Sequence, residues 1–142
     1  MTTIATLLKN KGQEIWSVEP TDVVFDAIKS MAEKGIGALL VMDADELVGI
    51  FSERDYARKI VLEGKSSRET TVGDIMTRDV IRASPDQSIE DCMSVMTDNH
   101  IRHLPVVEDD RVVGMISIGD LVKVIIVEQK ELISQLEHYI SG

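Results

Sequence analysis

Aromatic residues are scarce in this chain, cysteine is nearly absent, basic charge is in deficit and no long apolar run occurs. Each shortage closes off a class of protein. Aromatics make up 4% of the 142 residues, so Val, Ile, Leu and Met must fill the core. Cys92 is the only cysteine, which rules out an internal disulfide and a thiolate metal cluster and fits a reducing compartment. A net charge of −10 argues against a nucleic-acid surface, which needs a clustered basic face. No stretch approaches the roughly 20 apolar residues that span a bilayer. Met1 to Asn10 lacks the apolar core of a signal peptide, so the cytoplasm is the expected location.

What is present is an ordinary globular composition, 44% apolar and 28% charged, carrying an internal duplication. Pro20 to Asp55 overlays Pro85 to Asp120 without a gap at an offset of 65 residues, with eleven identities. These include Pro20/Pro85, Met31/Met96, Val41/Val106, Gly49/Gly114, Ser52/Ser117 and Asp55/Asp120. Upstream, Ile4-Ala-Thr-Leu-Leu8 matches Val72-Gly-Asp-Ile-Met76, so each repeat has a lead-in segment. The acidity is uneven: between Glu53 and Arg82 lie seven of the fifteen basic residues against six acidic ones. A small anion can be held locally despite the overall charge.

Within each repeat the periodicity changes in a fixed order. A short β-rich piece, 15–18 or 80–83, precedes the proline. The proline with Thr21-Asp22 or Asp86 is then expected to start a helix whose apolar positions recur at helical spacing (Val24, Ala27, Ile28, Met31; Ile89, Cys92, Met93, Met96). The runs 38–42 and 104–107 read as strands, turning through Asp-Ala-Asp-Glu or Glu-Asp-Asp-Arg into strands 47–51 and 112–116. Ser52 and Ser117 are good N-cap residues, with Asp55 and Asp120 three positions on, so a second helix starts there. The result is an α+β fold of two βαββα repeats, each too small to cover its own sheet. The expected organisation is a first repeat with its lead-in at 1–64, a polar linker at 65–71 and a second repeat at 72–127. The tail, 128–142, is amphipathic and helical; its stripe of Leu132, Leu136 and Ile140 requires another surface, that of a second copy.

Ser-x-x-Asp, repeated after a hairpin, has a chemical meaning. A carboxylate near a helix start accepts hydrogen bonds from both ribose hydroxyls, and a helix N-terminus with its serine hydroxyl favours phosphate. In isolation the same pattern is a plain capping box; its duplication after a hairpin favours the ligand. Asp55 and Asp120, with Ser52 and Ser117, are therefore the candidate ribose-binding residues. Arg54, beside Asp55, is a candidate for phosphate and could equally pair with Glu53 or Asp55 in solvent. His100 and His138 have no partners at metal-ligand spacing, so no metal is expected. Cys92 replaces Ala27 of the first repeat on a helix face and reads as a core thiol.

These residues resemble the cystathionine β-synthase (CBS) domain family over about Thr3 to Val127. The signals are Val72-Gly-Asp-Ile-Met-Thr77, His100-Ile-Arg-His-Leu-Pro-Val-Val107, Val113-Gly-Met-Ile-Ser-Ile-Gly-Asp120 and Val48-Gly-Ile-Phe-Ser-Glu-Arg-Asp55. The resemblance implies a disk-shaped pair about a pseudo-two-fold axis, an extended C-terminal helix and two clefts that hold adenosine nucleotides. It places a basic pair, Arg102 and His103, at the phosphate, where repeat one has Gly37 and Ala38, so one strong site and one weaker one are expected. It places adenine against Val18, Ile36, Gly37, Ala38 and Ile50 in one cleft and Ile81, Ile101 and Met115 in the other. Ordinary core packing competes for each of these. The implied function is a non-catalytic sensor of AMP, ADP, ATP or NAD that signals to a client protein as a homodimer. The alternative is a dimerising structural adaptor with empty or vestigial clefts. No P-loop, no nucleophile with a base and no further carboxylate pair points to an enzyme.

Overall fold

A computed structural model describes residues 2–12 and 14–141. The element order is α1 (Ile4–Lys11), β1 (Ser17–Val18), α2 (Val24–Lys34), β2 (Ala38–Asp43), β3 (Glu46–Ser52), α3 (Glu53–Asp55), a π-helical segment (Tyr56–Val61), α4 (Val72–Ile75), α5 (Ile89–Asn99), β4 (His103–Glu108), β5 (Arg111–Ser117) and α6 (Ile118–Ser141). The hairpins, both central helices and the long helix through the tail stand as expected, although the run 121–127 is β-branched. Leu121 is fully buried and fixes the first turn of α6 against the rest of its unit.

The chain divides into two compact units: residues 14–81, and residues 1–13 with 82–142. This division cuts across the sequence boundary at 64/72, because each lead-in packs with the other repeat. The sequence offset predicts which atoms correspond. In one unit Val72 N–H donates to the Asp22 carbonyl and Gly73 N–H to that of Pro20. In the other, Ile4 N–H donates to the Gln87 carbonyl and Ala5 N–H to that of Pro85. α1 offers Ile4, Leu7 and Leu8, all buried; α4 offers Val72 and Ile75, with Met76 buried just beyond.

The duplicated glycines make room for these lead-ins. A Cβ on Gly49 would lie 2.5 Å from Met76 Sδ and 3.0 Å from the Thr77 carbonyl oxygen. A Cβ on Gly114 would lie 2.7 Å from Leu8 Cδ2. Met76 and Leu8 are themselves counterparts. The identity Gly49/Gly114 is therefore a packing requirement at the hairpin.

Two details depart from the sequence expectation. The piece 80–83 is not a strand: repeat one has β1 parallel to β2, whereas repeat two has only the bridge Ala83 to Val106. The cause is Pro105. Its counterpart Leu40 donates an N–H to the Trp16 carbonyl at 3.1 Å, and proline has no N–H to give. Nor do the residues beside each proline cap the following helix. The Asp22 carboxylate accepts from Glu19 N–H and the Gln87 side chain from Ser84 N–H, both at 2.8 Å, closing the turn ahead of the helix. The N-caps are Val23, without a side-chain bond, and Ser88, which accepts from Asp91 N–H.

Both hairpins carry a bulge at corresponding places, between Val41 and Met42 and between Val106 and Val107. They set Ser52 opposite Ala38 and Ser117 opposite His103, which delivers both serines to a helix start. Gly114→Ala should destabilise the protein by about 1–3 kcal/mol through overpacking, measured by denaturant unfolding. Leu8→Ala in the same chain should cost less than the two single changes added together, since it vacates the space that the new methyl needs.

Candidate functional site

In unit 14–81 the Ser52 hydroxyl accepts from Asp55 N–H at 3.2 Å, and Asp55 Oδ2 accepts from Ser52 N–H and Oγ–H at 3.0 and 3.1 Å. The capping box is complete. Asp55 Oδ1 is engaged as well, by the Thr77 hydroxyl at 3.1 Å and the Lys59 ammonium at 3.1 Å. Lys59 also donates to the Ile75 carbonyl at 2.9 Å, so one ammonium ties the carboxylate to the end of α4. Asp55 is buried, and both its oxygens serve the fold.

In the other unit Asp120 Oδ2 accepts from Ser117 N–H at 2.8 Å, and Asp120 N–H donates to Ser117 Oγ at 3.2 Å. The lysine here comes from the lead-in itself: Lys11, the last residue of α1, meets Asp120 Oδ2 at 2.7 Å and the Met115 carbonyl at 2.7 Å. In repeat one the matching position, Ile50, makes a two-way backbone bridge with Thr77. One ammonium thus stands in for that bridge and for the Thr77 hydroxyl. The Asp120 side chain is 19% exposed against 9% for Asp55, and the bonds described for it fall on one oxygen. Burial alone would raise its pKa; the Lys11 ammonium and the Ser117 donors outweigh this and hold it below the ordinary carboxylate range.

The phosphate candidates separate by unit. Ile118 N–H donates to the Arg102 carbonyl at 2.8 Å, so Arg102 and His103 sit at the start of α6, where Ser117 and Asp120 are. Arg102 is exposed and His103 half-buried. In repeat one the same bond, Glu53 N–H to the Gly37 carbonyl at 3.0 Å, brings a glycine to that place. Arg54 is exposed on the three-residue α3. The two helix starts have already spent their first and third N–H groups, so phosphate recognition there falls to side chains rather than to an open helix terminus.

Among the adenine candidates, Val18 and Ile36 pack against the core of unit 14–81, and Ala38 is fully buried in β2. Gly37, Ile50, Ile81, Ile101 and Met115 are half-buried. Cys92 is a core thiol: it is buried, and burial together with the Asp91 charge pushes its pKa up to about 11. No group of three metal-ligating side chains occurs among the described residues, and none of their helices is long and apolar enough to cross a membrane. Sequence reasoning missed both lysines. Lys59 was findable, four residues after Asp55 on one helical face; Lys11, 109 residues from Asp120, was not.

The CBS domain model matches residues 12–62 and 72–127. The chain belongs to the CBS domain family. This CBS-domain pair is 43% identical to the mitochondrial CBS domain-containing protein CBSX3 of Arabidopsis thaliana, over 99% of this chain and 73% of that one. A solved CBS-domain protein of Burkholderia ambifaria is 53% identical, with a TM-score of 0.87, covering 90% of this chain and 96% of the other. The CBS domain pair of protein MJ0100, solved in complex with 5′-methylthioadenosine and S-adenosyl-L-methionine, is 27% identical, with a TM-score of 0.80 and coverage of 90% and 98%. CBS-domain pairs are generally regulatory, ligand-binding modules.

A group whose folded pKa is depressed contributes stability that is lost as pH falls through that pKa. The Asp120–Lys11 pair should therefore persist as pH falls through the range in which an ordinary aspartate takes up its proton, and fail only below it. Lys11→Met should lower stability at neutral pH by no more than about 1 kcal/mol, because Lys11 is solvent-screened. It should also bring the acid limb of the unfolding curve to higher pH, as read by thermal melts between pH 2 and pH 7.

Proposed function

We propose that this CBS-domain pair is a non-catalytic regulatory module of the cytoplasm that binds an adenine nucleotide at the start of α6. It acts on a client protein as a homodimer. The observation that carries this reading is the convergence at one helix start of a carboxylate with its described bonds on one oxygen, Asp120, and a basic pair, Arg102 and His103. A ribose would take Asp120 and Ser117, and Arg102 and His103 would face the phosphates. The complex of MJ0100 with two adenosine-containing molecules supports the ligand class. AMP, ADP, ATP and NAD share the adenosine moiety that such a site reads.

The engaged carboxylate of Asp55 favours a different role for repeat one. There Ser52 and Asp55 hold α4 and the hairpin together, and Gly37 and Ala38 bring no donors. We infer one working site, in repeat two, and a structural counterpart in repeat one. Lys11 supplies a route for the signal: a ribose at Asp120 competes with the ammonium that ties α1 to β5, and occupancy then changes how firmly the lead-in is held. A ligand shifts such an equilibrium only by its difference in affinity for the two states.

Thermal unfolding with AMP, ADP, ATP, NAD and S-adenosylmethionine tests this reading. A ligand at 100 times its dissociation constant should add about 2.7 kcal/mol. Asp120→Ala should abolish the shift while the protein still melts cooperatively. Asp55→Ala should lower the melting temperature itself, by the equivalent of about 1–3 kcal/mol for a buried hydrogen-bonded group, and leave the ligand shift in place. An unchanged shift in Asp120→Ala would overturn the assignment. No shift with any nucleotide would favour the dimerising adaptor.

A further inference from the structure

α6 is 24 residues long, about 36 Å, and only its first turns are covered by its own unit. Glu128 accepts a hydrogen bond from the Thr2 hydroxyl; every residue from Gln129 to Ser141 is exposed. α6 carries an apolar stripe in three-four spacing: Val122, Ile126, Gln129, Ile133, Leu136 and Ile140. The five apolar members are each at least 41% exposed. Such a seam is costly to leave in water and has the spacing of a helix-pairing face.

We propose that this stripe pairs with α6 of a second copy of this chain, with the two helices antiparallel. The orientation follows from the sequence of the stripe. Laid antiparallel about Glu131, Val122 meets the partner's Ile140, Ile126 meets the partner's Leu136, and Gln129 meets the partner's Ile133, with no position left over. The same register sets Lys123 beside the partner's Glu137, twice by symmetry, and brings Lys130 near its own copy at the axis. A parallel pair would put Gln129 against Gln129 in the seam and would give Lys123 and Glu137 no opposite charge on the flank. Each layer is then satisfied by a two-fold axis, as a closed dimer requires. The proposal rests on the homodimer reading above and not on the ligand.

Cross-linking decides the orientation. In full-length protein carrying Cys92→Ala, the residue found at the matching position of repeat one, Val122→Cys and Ile140→Cys lie at opposite ends of the seam, about 27 Å apart along the axis. On oxidation, disulfide-linked dimers should form when the two variants are refolded together and not from either alone. A disulfide within either variant alone, or none in the mixture, would overturn the antiparallel pair. Sedimentation equilibrium gives the second readout. Ile133→Asp should convert the dimer to a monomer that still melts cooperatively, since within one chain that side chain is exposed to solvent. Lys123→Glu should weaken association roughly several-fold, and adding Glu137→Lys should restore it. A dimer that survives Ile133→Asp would discard this surface and leave the dimer standing; a wild type that stays monomeric would discard both.

Discussion

The contact on which both units depend is the seating of a lead-in helix against the back of a hairpin, at a strand position that can carry no side chain. Gly114 gives the space to Leu8, and Gly49 gives it to Met76. Interiors packed to crystal density do not open by the width of a methyl group without moving something else. Much follows from that seating. The lead-in's first two amides reach the carbonyls of the proline turn, the turn fixes the start of the central helix, and the far end of the lead-in comes within reach of the carboxylate at the next helix start. Lys59 and Lys11 make that last connection with opposite polarity: one runs from the repeat to the lead-in, the other from the lead-in to the repeat.

The repeats have therefore diverged at the carboxylates while keeping their backbone. Thr77, paired through its main chain with Ile50, and Lys59 close Oδ1 of Asp55, while Ser52 holds Oδ2. Asp120 has Ser117 N–H and the Lys11 ammonium on one oxygen, and Lys11 is a long, half-exposed side chain with other places to go. On the proposed reading a duplicated motif has split, with few substitutions, into a structural copy and a responsive one. The repeats differ there by Gly37 against Arg102 and Ala38 against His103, together with the source of the ammonium.

Much of this was legible from the residues. The ungapped offset fixed the hairpins to within a residue, because bulge, turn and Ser-x-x-Asp fall at matching positions. The lead-in match at Ile4/Val72 correctly paired the atoms that make equivalent hydrogen bonds. It could not say that the lead-ins are exchanged, because two similar segments facing two similar repeats look the same in either arrangement. The missing strand before Pro85 needed one more step of reasoning: Pro105 sits where Leu40 donates to the parallel ladder. The π-helical stretch Tyr56–Val61 leaves no mark in a pattern that reads simply as helix, and the Lys11–Asp120 contact joins residues too far apart for any local rule.

The exchange of lead-ins has a consequence for how the chain is made. Residues 14–81 form a continuous segment, so that unit can close as soon as it leaves the ribosome. The other unit draws on both ends of the described chain, and α1, made first, must wait for its hairpin. Through that interval Ile4, Leu7 and Leu8 have no native cover, and Leu8 has an accessible rival in the glycine of the first hairpin to emerge. Prompt docking of α4 onto Gly49 removes that rival. Birth order along the polypeptide thus turns a symmetric pair of lead-ins into a sequence of events, with the second lead-in settling before the first.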